Sequence, residues 1–143
     1  AERRALAAEA GAIALDPTDA AEIIREQTKG CMVDSVVEAV GLDATIRTAL
    51  KLTGRRATVS VIGVAQDRRF DFPISRAFGN GLTFRIGTCS VPEEWPALIP
   101  LLQAGRLTPE RYISHVLPLS EGEAAYAQFD ARADGALKMV LTP

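Results

Sequence analysis

His115 is the single histidine of the chain, and histidine is the residue type suited to proton transfer or metal ligation near neutral pH. No cysteine or acid stands at ligand spacing from it, so a structural role is expected. Cys31 and Cys89 are the two cysteines. Two cysteines and one histidine cannot build a disulfide framework, and they lack the clustered spacings of a zinc site. Both thiols are expected to be buried or half-buried, and nothing, including Lys29 near Cys31, marks either as a nucleophile. No Ser-His-Asp order with elbow spacing occurs. The acidic pairs Glu93-Glu94 and Asp19-Glu22 stand where helices start, and the helix dipole explains them. Gly79-Asn80-Gly81 has the wrong spacing to cradle a phosphate and reads as a turn before a strand. The residues themselves thus assign no catalytic group and no metal ligand.

The elements that would position any site alternate between two kinds. Short apolar, often β-branched runs read as strands over 12–15, 33–40, 57–64, 82–88, 113–118 and 137–142. Helical spacing is clearest at Trp95, Leu98, Ile99 and Leu102 and at Gly122, Ala125, Tyr126 and Phe129, giving helices over 93–104 and 121–131. Further helices are read over 2–10, 18–29, 43–53 and, briefly, 74–79, with a loop following residue 64. Thr18 is expected to cap the second helix and Asp43 the third. Thr108-Pro109-Glu110 opens a short helical turn. Pro100 should kink or break the helix that holds it. Alternation of this kind implies an α/β fold with a mostly parallel sheet.

The 143 residues suit one compact domain by length. Hydrophobic residues are 48% and charged residues 24%, which is a globular and not a disordered composition. The net charge of −2 gives no excess cation for phosphate backbones or anionic lipid, so no nucleic-acid or membrane partner is expected. No apolar run reaches the length of about 18 residues that a span needs, and the start has no apolar region of a signal peptide. Sparse cysteine fits a reducing, cytoplasmic setting. The chain opens on a helix without a preceding strand and closes on two strands beyond a simple doubly wound sheet. Both features suit a piece of something longer.

Six segments, in order, carry a resemblance. They are Glu2-Arg3-Arg4-Ala5-Leu6-Ala7 with Gly11-Ala12, then Thr28 to Gly41, which follows a T-x-G-x-G-x-D-x-V-x-E-x-x-G pattern with Met32 at one glycine position. Next come Gly54-Arg55-Arg56 with Val59 to Val64, Leu82 to Gly87, Ile113 to Leu119, and Phe129-Asp130-Ala131-Arg132 to Leu141. Together these resemble the C-terminal part of the medium-chain dehydrogenase/reductase family, in its zinc-type alcohol dehydrogenase branch.

The resemblance implies a partial Rossmann-type doubly wound, mostly parallel sheet lacking its first strands. Residues 1–110 would be a partial dinucleotide-binding domain, and 111–143 a segment that returns toward a catalytic domain. That catalytic domain, its zinc ligands, the G-x-G-x-x-G turn and the acid that reads the ribose have no counterpart here. The parent would use NAD or NADP to convert a small alcohol to an aldehyde or ketone, with zinc in the parent only. By the same resemblance Val40 packs on the adenine, and Ile62, Gly63 and Val64 lie beside the nicotinamide. Thr88 and Cys89 come near the carboxamide, Arg3 near the adenosine ribose and Lys138 near the pyrophosphate. Plain sheet core stays open as a reading of Val40, Ile62 and Val64, and solvated charge as a reading of Arg3 and Lys138. The edge strand near 82–88 would pair with its copy in a homodimer. The chain alone is expected to lack zinc and turnover. A zinc-free quinone or enoyl reductase, or a non-enzymatic α/β association module, are the alternative readings.

Overall fold

A computed structural model describes residues 2–64 and 69–143; part of the loop expected after residue 64 lies outside them. The described chain forms two compact units, residues 3–89 and 90–143.

The first unit is built on three parallel strands in the order β1-β2-β3 (β1 Val33–Glu38, β2 Thr53–Val61, β3 Thr83–Ile86). Its helices are α1 (Glu2–Glu9), α2 (Ala20–Gln27), α3 (Asp43–Leu52) and α4 (Ile74–Asn80). Alternation along β2 sends Ala57, Val59 and Val61 inward, all at most 1% exposed. Val59 and Val61 meet Ile46, Ala49 and Leu50, which recur on one face of α3. Phe70, Phe72 and Phe84 flank this core, and Phe72 packs edge-on against Phe84 at 5.2 Å between ring centres. Arg76 of α4 donates to the carbonyls of Leu50 and Lys51, each at 3.2 Å, closing the C-terminus of α3.

The second unit holds α5 (Val91–Gln103), β4 (His115–Pro118), α6 (Gly122–Ala131) and β5 (Met139–Thr142), with a 3₁₀ turn at Pro109–Tyr112. Strands β4 and β5 pair in parallel, His115 opposite Met139. Both Pro96 and Pro100 lie inside α5, so Pro100 does not end that helix.

Several expectations need correction. Residues 12–15 form no strand, because an isolated run has no neighbour to receive its backbone hydrogen bonds. Thr18 does not cap α2; its N–H and hydroxyl both donate to Asp16 Oδ1. That leaves Asp19 before the helix without a side-chain cap bond. The Thr18 hydroxyl and then its N–H, with the Arg4 guanidinium 2.5 Å from Oδ2, hold the Asp16 carboxyl down at about 2. Asp43 is the first residue of α3 and not its cap; it pairs with Arg47 one turn on, at 3.0 Å. Cys31 and Cys89 are both free and exposed, since each lies outside the helices and strands. Met32 takes φ +63, the left-handed region that favours glycine. The glycine pattern at this position therefore has a backbone cause.

Candidate functional site at the strand ends

In a parallel sheet with helical crossovers, ligands meet the carboxyl ends of the strands. Here those ends are close-set. The residues after β1 and after β2 touch through backbone. A Cβ placed on Gly41 would stand 2.2 Å from the Val64 carbonyl oxygen, and one on Gly63 would stand 2.3 Å from the Gly41 nitrogen. Gly41 also takes φ +86. Only two glycines allow this approach.

Glu38, at the end of β1, holds the turn. It is 4% exposed. Its Oε1 accepts from Val40 N–H at 2.8 Å, Gly41 N–H at 2.9 Å and the Thr45 hydroxyl at 2.7 Å, and Oε2 lies 3.0 Å from Gly41 N. Burial alone pushes its carboxyl up, but the bonds from Thr45, Gly41 and Val40 outweigh that and hold it below the ordinary carboxylate value. Thr45 Oγ1 also receives the Leu42 N–H at 3.3 Å, tying the turn to the first turn of α3. Glu38 was not among the residues singled out for a role. The signal that could have found it is an acid ending an apolar strand, with glycine three positions later and threonine seven later.

Around this turn lie Val40, Ile62 and Val64, exposed by 55%, 59% and 79%. None of them is core in this chain. Thr88 and Cys89 follow β3, which runs parallel to β2 and so leaves the sheet in the same direction; both are exposed. Arg3 is exposed on α1. Lys138 belongs to the second unit. There it borders a cavity of about 190 Å³ with Ala125, Tyr126, Phe129, Met139 and Leu141. Cavities that enclose drug-sized ligands start near about 300 Å³, so this one is too small for a whole dinucleotide.

His115 has a structural place in the second unit. The Ser114 hydroxyl lies 3.1 Å from the Lys138 carbonyl and donates to it. His115 Nδ1 lies 3.0 Å from Ser114 Oγ, and Nε2 lies 3.1 Å from the Gln128 amide nitrogen. His115→Ala is expected to cost about 1 kcal/mol in urea unfolding, the scale of lost neutral hydrogen bonds. An unchanged midpoint would remove that role.

Among the described residues no group of three or more His, Cys, Asp or Glu comes together as metal ligands, so zinc has no fit to these residues. A dinucleotide fits in part. Exposed apolar side chains at adjoining strand ends suit flat ring faces, while the glycine turn that seats a pyrophosphate does not occur in the sequence. No described helix is long and apolar enough to cross a membrane.

The comparisons with known proteins agree with this architecture. The family model described as zinc-binding dehydrogenase matches residues 1–104. A probable zinc-binding alcohol dehydrogenase of Mycobacterium tuberculosis is 39% identical over 127 residues, covering 89% of this chain and 33% of that protein. An uncharacterized zinc-type alcohol dehydrogenase-like protein of Bacillus subtilis is 30% identical, over 90% of this chain and 39% of its own length. The solved alcohol dehydrogenase TADH from Thermus sp. ATN1 superposes with a TM-score of 0.93 at 38% identity, covering 99% of this chain and 41% of that one. The chain thus spans a third to two fifths of the length of these relatives. With its parallel α/β sheet of Rossmann type, the chain belongs to the zinc-binding dehydrogenase family.

Proposed function

We propose that the chain is the cofactor-domain part of an NAD(P)-dependent, zinc-type alcohol dehydrogenase. The observation that carries this reading is the family match over a chain whose β1 and β2 ends present exposed Val40, Ile62 and Val64 around an interlocked glycine pair. In this reading residues 1–110 supply the dinucleotide-binding part, and 111–143 form a segment that returns toward a catalytic domain. When bound, the nicotinamide supplies the hydride acceptor for oxidation of a small alcohol to an aldehyde or ketone.

The chain's own residues do simpler work. Val40, Ile62 and Val64 offer apolar faces to the rings and exclude water there. Thr88 and Cys89 lie at the carboxamide side, and Arg3 offers a cation to the ribose. The edge position of β3, which pairs only with β2 among the described strands, supports a homodimer made by pairing β3 with its copy. A cytoplasmic location goes with the reading, since a reducing compartment keeps the exposed Cys31 and Cys89 as thiols.

Calorimetry with NADH, metal analysis and an alcohol-oxidation assay test the proposal on this chain. We expect one NADH site per chain with an affinity in roughly the millimolar range, because the pyrophosphate seat is absent. No bound zinc and no turnover should accompany it. Stoichiometric zinc with turnover would contradict the assignment of the chemistry to residues outside this chain. Tight dimerisation with no NADH binding would favour an association module.

A further inference from the structure

Glu38 grips both strands of the proposed site. Its side chain receives the N–H groups of Val40 and Gly41 after β1. Its main-chain carbonyl receives the N–H groups of Ile62 at 2.8 Å and Gly63 at 3.1 Å after β2. Both carboxylate oxygens are engaged by the chain's own donors, so the group is turned to internal use and not toward a ribose hydroxyl. The Gly41–Val64 and Gly63–Val40 contacts leave no slack between the two segments. A shift of the 38–41 turn must therefore displace Val40 and Gly63 together.

We propose that Glu38 is a positioning residue for dinucleotide binding: its carboxylate locks the 38–41 turn onto Gly63 and Val64 and so sets the wall that Val40, Gly63 and Val64 present. The proposal rests on the dinucleotide reading above. Glu38 acts through the backbone and touches no reacting atom.

The test compares Glu38→Ala, Glu38→Gln and Thr53→Val in the whole chain. Thr53 is 2% exposed and donates its hydroxyl to the Leu50 carbonyl at 2.6 Å, at the far end of β2. Its variant thus removes a buried hydrogen bond away from the site. Amide exchange by NMR reports the turn, calorimetry reports NADH affinity, and circular dichroism reports the fold.

Glu38→Ala is expected to speed exchange at Val40, Gly41 and Gly63 and to weaken NADH binding by about tenfold or more. Glu38→Gln keeps one acceptor oxygen and should recover part of both effects, which keeps the test alive if the alanine variant fails to fold. Thr53→Val should lower the unfolding midpoint while leaving NADH affinity within about twofold. The proposal is overturned if Thr53→Val weakens NADH as much as Glu38→Ala does, or if glutamine restores nothing. Affinity lost with no change in exchange also overturns it, because then the turn has not moved. A folded wild-type chain that binds no NADH sinks the dinucleotide reading itself, and this proposal with it.

Discussion

Gly41→Ala is expected to destabilise the 3–89 unit by about 3 kcal/mol or more, with Gly63→Ala close behind. The added methyl of the first would stand 2.2 Å from the Val64 oxygen and 2.5 Å from the Val64 carbonyl carbon. These are backbone atoms of a segment continuous with the central strand, so they cannot rotate away as a flexible side chain would. At φ +86 an L side chain adds backbone strain to the collision. The methyl of the second would meet the Gly41 nitrogen at 2.3 Å and Val40 atoms at 2.5 and 2.6 Å. Thermal unfolding followed by circular dichroism checks both, and the midpoint should fall by roughly 15 °C for a unit of this size. Gly79 is the contrast. It lies in α4 with nothing within 4 Å of an added Cβ, so Gly79→Ala should be neutral or stabilising by up to about 1 kcal/mol. Equal losses at Gly79 and Gly41 would mean that the close approach of the strand ends is not what these glycines provide.

The second large effect is at Glu38. Removing its carboxylate by Glu38→Ala leaves the N–H of buried Gly41 and that of Val40 without their acceptor. The expected cost is about 3 kcal/mol at pH 7, since these are charge-assisted bonds in a water-poor place. The carboxyl is held below its ordinary value in the fold. A depressed folded-state value means that this stabilisation is fully present above the unfolded value, near about pH 4.3, and is lost as pH falls through the folded one. Urea unfolding of wild type and variant should therefore differ most at neutral pH, and the gap should narrow below about pH 4. Asp16, also lowered, follows the same direction in acid in wild type and variant alike. A gap that widens in acid would contradict the bonding described for Glu38.

The parallel α/β alternation was legible in the chain because its two periodicities leave separate marks. Ile46, Ala49 and Leu50 point one way off a helix, and Ala57, Val59 and Val61 point one way off a strand. Residues 12–15 misled because apolar character does not make a strand without a pairing partner. Thr18 misled because the helix starts one residue later than expected, with Asp19 at the cap position, and the Thr18 hydroxyl donates to Asp16 instead. At the proposed site, Val40, Ile62 and Val64 are named only by their resemblance to a known pattern. Their exposure could not be read from the sequence, because an apolar residue at a strand end reads the same whether it faces core or ligand. Glu38 was hardest to see. A single acid after apolar residues looks like the solvated end of a strand, and its role appears only when the turn folds two amides and the Thr45 hydroxyl onto it.

The most direct test of the account is a map of backbone amide shifts in the wild-type chain as NADH is added. Shifts concentrated at residues 40–41, 62–64 and 88–89 are the expected result, because those segments leave the three parallel strands at one end of the sheet. Shifts confined to the cavity lined by Tyr126, Phe129 and Met139, or no shifts in a folded chain, would contradict the claim that the strand ends of the first unit form the dinucleotide site.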